Sequence, residues 1–470
     1  MSGRYFNSVA TLLSGSAWYF AVDVSGQYGW LLWIAPLPLL LVAFQSSSKV
    51  TFSSAFVAYF IGRCSWIPYL LKVVPVFLVP VFTLLLPLIF ALAMLGARRA
   101  WLKQNNALAI FAYPLLMTLM EYVSTSLSAD GTAASLAYTQ SDYLTLIQIA
   151  SVTGIWGIVF VTALIPSTLA VAWLLKHNHQ QSRIALLTGS FIVLAVTLFG
   201  WVRLNQQREY TSIKTGMTVV SENLHLFPET PDLQKEKEVA HSYIGQISQL
   251  AKQGATVVLF PEKAINASQA QKDTITMLFQ KAADRLNISI AGGFTIFKPH
   301  AKQNLVLFFS PGGPMQEYKK NFHVNGWEDE FERGNEVGEL KGLPVNSGMA
   351  ICKDMDFPRW LRKYGDADLL FVPAWDFVID GWLHDRMAVM RGVENGYTIV
   401  RAARQGRFTV SDFRGDVIAE ANCENGQAVS LLADVPVYSV NTLYSSWGDW
   451  FGIVCVIGAL LMMLFPLSKK

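Results

Sequence analysis

The chain has 470 residues, of which 52% are apolar and only 15% charged, against roughly 25% charged in an average soluble domain. Its length has room for two or three domains. The net charge of +3, with no basic stripe interleaved with aromatics in the polar stretch, excludes a nucleic-acid binder. Nearly all the acids lie between Glu209 and Glu424, and the flanking regions are mostly apolar, so the pattern implies a membrane part and a soluble part.

A hydrocarbon core about 30 Å thick takes about 20 apolar residues per helix. Segments 6–23, 29–46, 51–71, 73–96, 106–123, 146–175 and 184–203 qualify before the soluble part, and 449–467 follows it. The 146–175 stretch is long enough to span with tilt or to begin with an interfacial turn. The first segment lacks a small-residue cleavage site and more spans follow, so it reads as a span and not as a cleavable signal. Arg4, Lys49, Arg98, Arg99, Lys103, Lys176, Arg183, Lys469 and Lys470 fall on the even-numbered turns and the tails, whereas the odd-numbered turns offer Lys72. Positive charge stays inside. Both termini are therefore expected in the cytoplasm and the soluble domain outside, which in a two-membrane bacterium is the periplasm. Asp23 and Arg63 are expected near span ends, reaching the headgroups, with a substrate pathway as the rival reading. The polar loop 124–144 is either a connector or the lining of a site.

From Lys214 the texture changes to strands alternating with amphipathic helices. Strands are predicted at 216–221, 255–260, 288–294, 305–310, 348–352, 368–375, 398–403 and 408–413. Helices are predicted at 232–253, where Leu233, Val239, Tyr243, Ile247 and Leu250 recur at helical spacing, and near 270–286 and 384–395. The continuous apolar run ATVVLF (255–260) suits a strand buried on both faces and is expected to end at Pro261-Glu262. The alternation indicates an α/β core.

Strand ends hold side chains rigidly at clefts. Three positions there bear chemistry: Glu262 after VVLFP, Lys320 in YKKNFHVNGWE, and Cys352 at the end of GMAIC. A carboxylate can take a thiol proton and later return it, and an ammonium can steady the thiolate and a tetrahedral oxyanion. Each residue also has an ordinary reading, as a neighbour of a helix N-cap, a solvated loop charge and a small core residue, and spacing alone does not decide. Of the other cysteines, Cys64 and Cys455 fall in apolar segments, and Cys423 reads as a turn thiol that an oxidising compartment would allow to pair with Cys352. His323 lacks ligand-spaced companions, so neither a metal nor a cofactor is expected. Arg391 and Glu394, three apart on a helix, read as a structural pair. Trp375 reads as pocket wall.

FPE (260–262), YKKN (318–321) and ICKDMDFP (351–358) resemble the three motifs of the nitrilase, or carbon–nitrogen hydrolase, superfamily. PAWDF (373–377) and RMAVMRGVENGYTIVRAA (386–403) resemble its later blocks. A domain of this kind after several spans and before one more, together with WLLWIAPLPLLL (30–41) and SLAYTQSDYLTLIQIASVTGIWGIVFV (135–161), resembles the apolipoprotein N-acyltransferase family.

The resemblance implies a polytopic α-helical membrane domain of about eight spans (1–205 and 446–470) and an extracytoplasmic nitrilase-like αββα sandwich (214–437). It implies Glu262 as general base, Lys320 as oxyanion and thiolate stabiliser and Cys352 as nucleophile. Glu328 falls where the family has a second glutamate, and Asp354 where it has an acid two residues past the cysteine. The implied partners are a phospholipid acyl donor, a diacylated lipoprotein acceptor and membrane lipids, in the bacterial inner membrane. Three features depart from the family pattern: Lys353 in place of an aromatic, Asp354 in place of Glu, and Asn325-Gly326-Trp327-Glu328 in place of Pro-Phe-Gly-Glu. Lys353 is expected to hold a phosphate, to depress the thiol pKa, or to pair with Asp354 or Asp356. The rival function is a membrane-anchored amidase using water as acceptor, and a non-enzymatic scaffold is the third.

Overall fold

The computed structural model describes residues 3–224 and 228–465, with the side chains of residues 3 and 4 left out. Lys469, Lys470 and the Arg4 side chain, three of the cations that set the expected orientation, lie outside it. The chain divides into two compact units, residues 1–206 with 446–470, and residues 207–445.

The first unit is helical. Among its described residues five helical stretches are long and apolar enough to cross a membrane: Ser48–Val73, Val76–Gln104, Ala107–Leu127, Ile155–Leu174 and His179–Asn205. Shorter apolar helices cover Gly29–Gln45, Leu144–Thr153 and Trp450–Leu464, and a 19-residue helix runs Gly3–Ala21. The expected 146–175 span is broken at Gly154, whose φ of 66° no other residue type adopts cheaply, so a short segment precedes the long helix.

Arg63 departs from expectation. It is buried at the end of helix Ser48–Arg63, with its guanidinium 4.1 Å from the Trp66 ring, and does not extend to a surface. Asp23 is half-buried in a turn, where it accepts from the Ser25 amide at 3.1 Å. Sequence reading also passed over Glu121. It is buried in helix Ala112–Leu127 and accepts from Ser135 Oγ (2.7 Å) and the Leu136 amide (3.0 Å), so an acid inside the bundle pins the polar loop.

The second unit is a sandwich of two sheets. The strands are β1 (Thr211–Val219), β2 (Val257–Ser268), β3 (Ser289–Phe297), β4 (Lys302–Phe309), β5 (Gln316–Lys319), β6 (Gly338–Leu340), β7 (Ser347–Met349), β8 (Leu369–Trp375), β9 (Thr398–Arg404), β10 (Arg407–Ser411), β11 (Val417–Asn422) and β12 (Val429–Val437). One sheet has the order β12-β1-β2-β3-β4-β5 and the other β11-β10-β9-β8-β7-β6. The inner strands β1, β2 and β3, like β7, β8 and β9, are parallel and the outer ones antiparallel.

Helix Leu233–Lys252 starts at Asp232, which caps the Gln234 and Lys235 amides at 2.8 and 3.1 Å. Its buried Val239, Tyr243, Ile247 and Leu250 join Phe279 of helix Lys272–Leu286 on one face of the first sheet, around Phe260, Phe294 and Phe309. Burying each such ring stabilises the fold by about 1.5–3 kcal/mol. Between the sheets lies a second core with Met217, Leu259 and Phe308 from one side and Met349, Phe371 and Val400 from the other. Ala388 of helix Gly381–Asn395 belongs to a third core, against Leu370, Val372 and Ile399. The layers are helix, sheet, sheet and helix, as the αββα expectation requires.

Candidate active site

Glu262 was expected just beyond a strand, but β2 continues to Ser268. The parallel pairing with β3 slips between Phe260 and Ile265, and Glu262 sits in that bulge. Bulges re-aim side chains. Gly293 on β3 makes room for this one, since a Cβ there would lie 2.4 Å from the Glu262 Cα. Lys320 follows β5, a short strand that the sequence reading missed, and its amide donates to the Asn304 carbonyl at 3.0 Å.

These two residues meet. Lys320 Nζ donates to Glu262 Oε1 at 2.8 Å and to Glu328 Oε2 at 2.9 Å, and all three side chains are at most 2% exposed. Asn304 Nδ2 donates to Glu262 Oε1 at 2.6 Å and to Glu328 Oε1 at 3.0 Å. Lys263 Nζ reaches Glu328 Oε1 at 2.5 Å. Burial opposes the Lys320 charge, but Glu262, Glu328 and Cys352 outweigh it and hold the ammonium well above its ordinary range. Burial likewise opposes ionisation of Glu328, and Lys320 and Lys263 overcome it, keeping that carboxyl well below the usual carboxylate range.

Cys352 comes from the other sheet. After β7 the chain stays extended at Ile351, then Cys352 takes φ 41° and opens the tight turn Cys352–Asp356. A left-handed conformation is costly for a residue with a Cβ and persists where the surroundings enforce it. Asp354 does the enforcing. Its carboxylate accepts from the Ile351 amide (2.9 Å), the Tyr318 hydroxyl (2.7 Å), and the Asn321 and Phe322 amides (3.1 and 3.0 Å). One acid therefore joins the Cys352 turn to the loop that carries Lys320.

The thiol is close enough to both charged partners to be governed by them. Burial and then Glu262 push its pKa well up, while Lys320 pulls the other way; beyond these, Asp376 raises it and Arg401 lowers it. These surroundings favour the thiol over the thiolate. Cys352 Sγ lies 3.7 Å from the Trp375 carbonyl at the end of β8. The Trp375 ring is fixed by Gln405, which accepts from its indole at 2.9 Å, and by the Arg404 guanidinium 4.0 Å above it.

Lys353 is buried, with its ammonium 3.7 Å from Asp356 Oδ2, the ion pair that was one of its expected roles. Cys352 and Cys423 are both free thiols, and Cys423 packs into the core between the sheets. Arg391 and Glu394 are paired at 3.1 Å and fully buried. Among the described residues no group of three His, Cys, Asp or Glu is arranged to hold a metal.

Sequence reasoning missed Asn304, Lys263 and the pair Asp376–Arg401. Asn304 gives no signal, because its strand reads as apolar and its partners are far along the chain. Asp376 and Arg401 lay inside the later motif blocks, where their proximity to residue 352 depends on β8 pairing with β9.

A family model described as apolipoprotein N-acyltransferase N-terminal domain matches residues 14–168, and one described as carbon–nitrogen hydrolase matches residues 225–436. The chain is 24% identical to the apolipoprotein N-acyltransferase of Geobacter metallireducens, over 94% of this chain and 91% of that one. It is 23% identical to that of Haemophilus ducreyi, over 75% and 76% of the two chains. Among solved structures it is similar to an amidase from Nesterenkonia sp., with 18% identity and a TM-score of 0.40 over 48% of this chain and 90% of that one. Two family models thus stand in order along one sequence, and over most of its length the chain is similar to apolipoprotein N-acyltransferases, whose second part is a carbon–nitrogen hydrolase domain here matched at residues 225–436.

Proposed function

We propose that this chain is a membrane acyltransferase. It moves a fatty acyl chain from a phospholipid, through a thioester on Cys352, to the N-terminal amine of a diacylglyceryl-cysteine lipoprotein. The observation that carries this reading is the buried 2.8 Å contact of Lys320 with Glu262 beside a neutral, left-handed Cys352.

In the first half-reaction Glu262 takes the thiol proton as sulfur adds to the ester carbon. Lys320 balances the oxyanion. The carbon–oxygen bond then breaks, and Glu262 returns the proton to the departing lysophospholipid alkoxide. In the second, the free amine attacks the thioester, Glu262 removes a proton from the nitrogen, and the thiolate leaves and is reprotonated. Glu328 and Asn304 hold Lys320 and Glu262 in register, Asp354 holds the nucleophile turn, and Trp375 walls the pocket. No cofactor enters these steps.

Residues 1–205 and 446–470 form the membrane domain in this reading, and 214–437 the catalytic domain, periplasmic with both termini cytoplasmic. The distribution of short-loop cations supports that orientation. Anchoring suits the chemistry, because both substrates are lipids.

The test is intact-mass analysis of the full chain after exposure to labelled phospholipid. One acyl mass on wild type, absent from Cys352→Ala and chased by a diacylated lipopeptide, is the expected result. Cleavage of amides with no acyl mass acquired from lipid would replace transfer by hydrolysis with water as acceptor.

A further inference from the structure

Lys263 takes no part in the steps above, yet it is built into the site. It follows Glu262 in the β2 bulge with φ 51°, a left-handed conformation that is costly for a residue with a side chain. Its ammonium is nearly buried, 2.5 Å from Glu328 Oε1, 4.7 Å from the centre of the Phe331 ring and 5.8 Å from that of Trp375. Strain of this kind persists where an interaction repays it.

The charges give the reason. Glu262 and Glu328 are two carboxylates, and Lys320 and Lys263 are two ammoniums, so the buried cluster is neutral. Without Lys263 it carries one net negative charge, at the place where an oxyanion must form. Of the two ammoniums that Glu328 contacts, Lys320 alone would then remain. Of the other charged groups facing the thiol, Asp376 and Arg401 are held to each other at 3.0 and 2.6 Å, and the His384 imidazolium, 3.7 Å from Asp376 and 3.1 Å from Asp380, is common to every variant compared below. His323, on the Glu328 side, has its pKa lowered, mainly by burial, with Lys320, Arg333 and Lys263 acting the same way and Glu328 opposing.

We propose that Lys263 is a positioning residue for the reaction: by neutralising Glu328 it leaves Lys320 free to serve Glu262, the thiolate and the oxyanion. This rests on the acyl-transfer reading, and the experiment separates the two. In the full chain, Cys352 alkylation by iodoacetamide is followed against pH, beside single-turnover acylation by labelled phospholipid. Lys263→Met is expected to move the alkylation midpoint up by about one pH unit and to slow acylation about tenfold or more. Lys263→Arg is expected to behave as wild type. Lys263→Met/Glu328→Gln, neutral again, should return the midpoint toward wild type, and Glu328→Gln alone, with the opposite imbalance, should move it down. Unshifted midpoints in Lys263→Met and Glu328→Gln overturn the proposal. Should Lys263→Met fail to fold, Glu328→Gln against the double variant makes the same comparison. If wild-type Cys352 is alkylated but never acylated, acyl transfer fails while the alkylation profiles still decide the role of Lys263.

Discussion

The hydroxyl of Tyr318, on β5 of one sheet, donates at 2.7 Å to Asp354, which closes the Cys352 turn after β7 of the other. The bond links two elements that deliver Lys320 and Cys352 to the same place. A hydrogen bond to a charged acceptor contributes about 1.5–3 kcal/mol. Tyr318→Phe should therefore lower stability by about 2 kcal/mol and slow Cys352 acylation. Asp354→Asn should do both more severely, because the three amides that also depend on this carboxylate lose a charged acceptor. A double-mutant cycle on unfolding free energy should give a coupling of about 1 kcal/mol or more. Strict additivity would mean that the bond does not join the two sheets energetically.

Replacing Lys320 or Cys352 should abolish acylation for different reasons. Cys352→Ala keeps the turn and every hydrogen bond of Asp354, so its stability should stay within about 0.5 kcal/mol of wild type. Lys320→Met leaves Glu262 and Glu328 buried without their shared ammonium, and breaking a buried pair costs about 3–5 kcal/mol. Adding Glu262→Gln to Lys320→Met should recover part of that loss, as thermal unfolding would register. Equal melting temperatures for Lys320→Met and Cys352→Ala would contradict the buried-charge account. By itself Glu262→Gln should slow acylation by about 10²–10⁴.

The parts of this site legible in the sequence are those written locally. VVLFPE and GMAIC each join an apolar strand run to the residue singled out, and both runs lie at strands in the structure, whereas YKKN begins on β5, whose polar residues read as loop. Glu262 was misplaced relative to its strand, because a bulge has no sequence mark of its own beyond Gly293 on a neighbouring strand. The edge strands escaped for another reason. β11 (Val417–Asn422) alternates half-buried and exposed positions and is short, and β12 (Val429–Val437) gains its place by pairing with β1, some 200 residues away. Arg63 and Glu121 were hidden or misjudged because hydropathy averages a span, and a single ion inside it shifts the mean little. Lys263 reads as an ordinary surface lysine until the left-handed bulge turns it inward.

Arg391 and Glu394 were legible as a pair from their spacing on one helix, and burial makes them more consequential than a surface pair. Both are fully enclosed, 3.1 Å apart. Arg391→Met should cost about 3–5 kcal/mol, because it strands the Glu394 charge. Arg391→Met/Glu394→Leu, which removes both charges, should recover most of it. Denaturant unfolding of the two variants checks this, and a double variant no more stable than the single would show that packing dominates over charge.

His384 supplies the clearest pH prediction. Its Nδ1 lies 3.1 Å from Asp380 Oδ2 and 3.7 Å from Asp376 Oδ1. Burial works against the imidazolium, but Asp380 and Asp376 overcome it and raise the pKa from 6.5 to about 10. A group with a folded pKa above its unfolded value binds its proton more tightly in the native state. Its stabilisation is fully present below about pH 6.5 and is lost as pH rises through about 10. Asp376 also faces Arg401 and acts on the Cys352 thiol, so losing the imidazolium leaves more negative charge beside that thiol. The wild type should therefore lose at least about 1 kcal/mol relative to His384→Gln between pH 7 and about 10.5, with a constant difference below about pH 6. Its Cys352 alkylation should lag further behind expectation at the alkaline end. Parallel stability curves for the two proteins across that range would mean that residue 384 is not charged in the folded state.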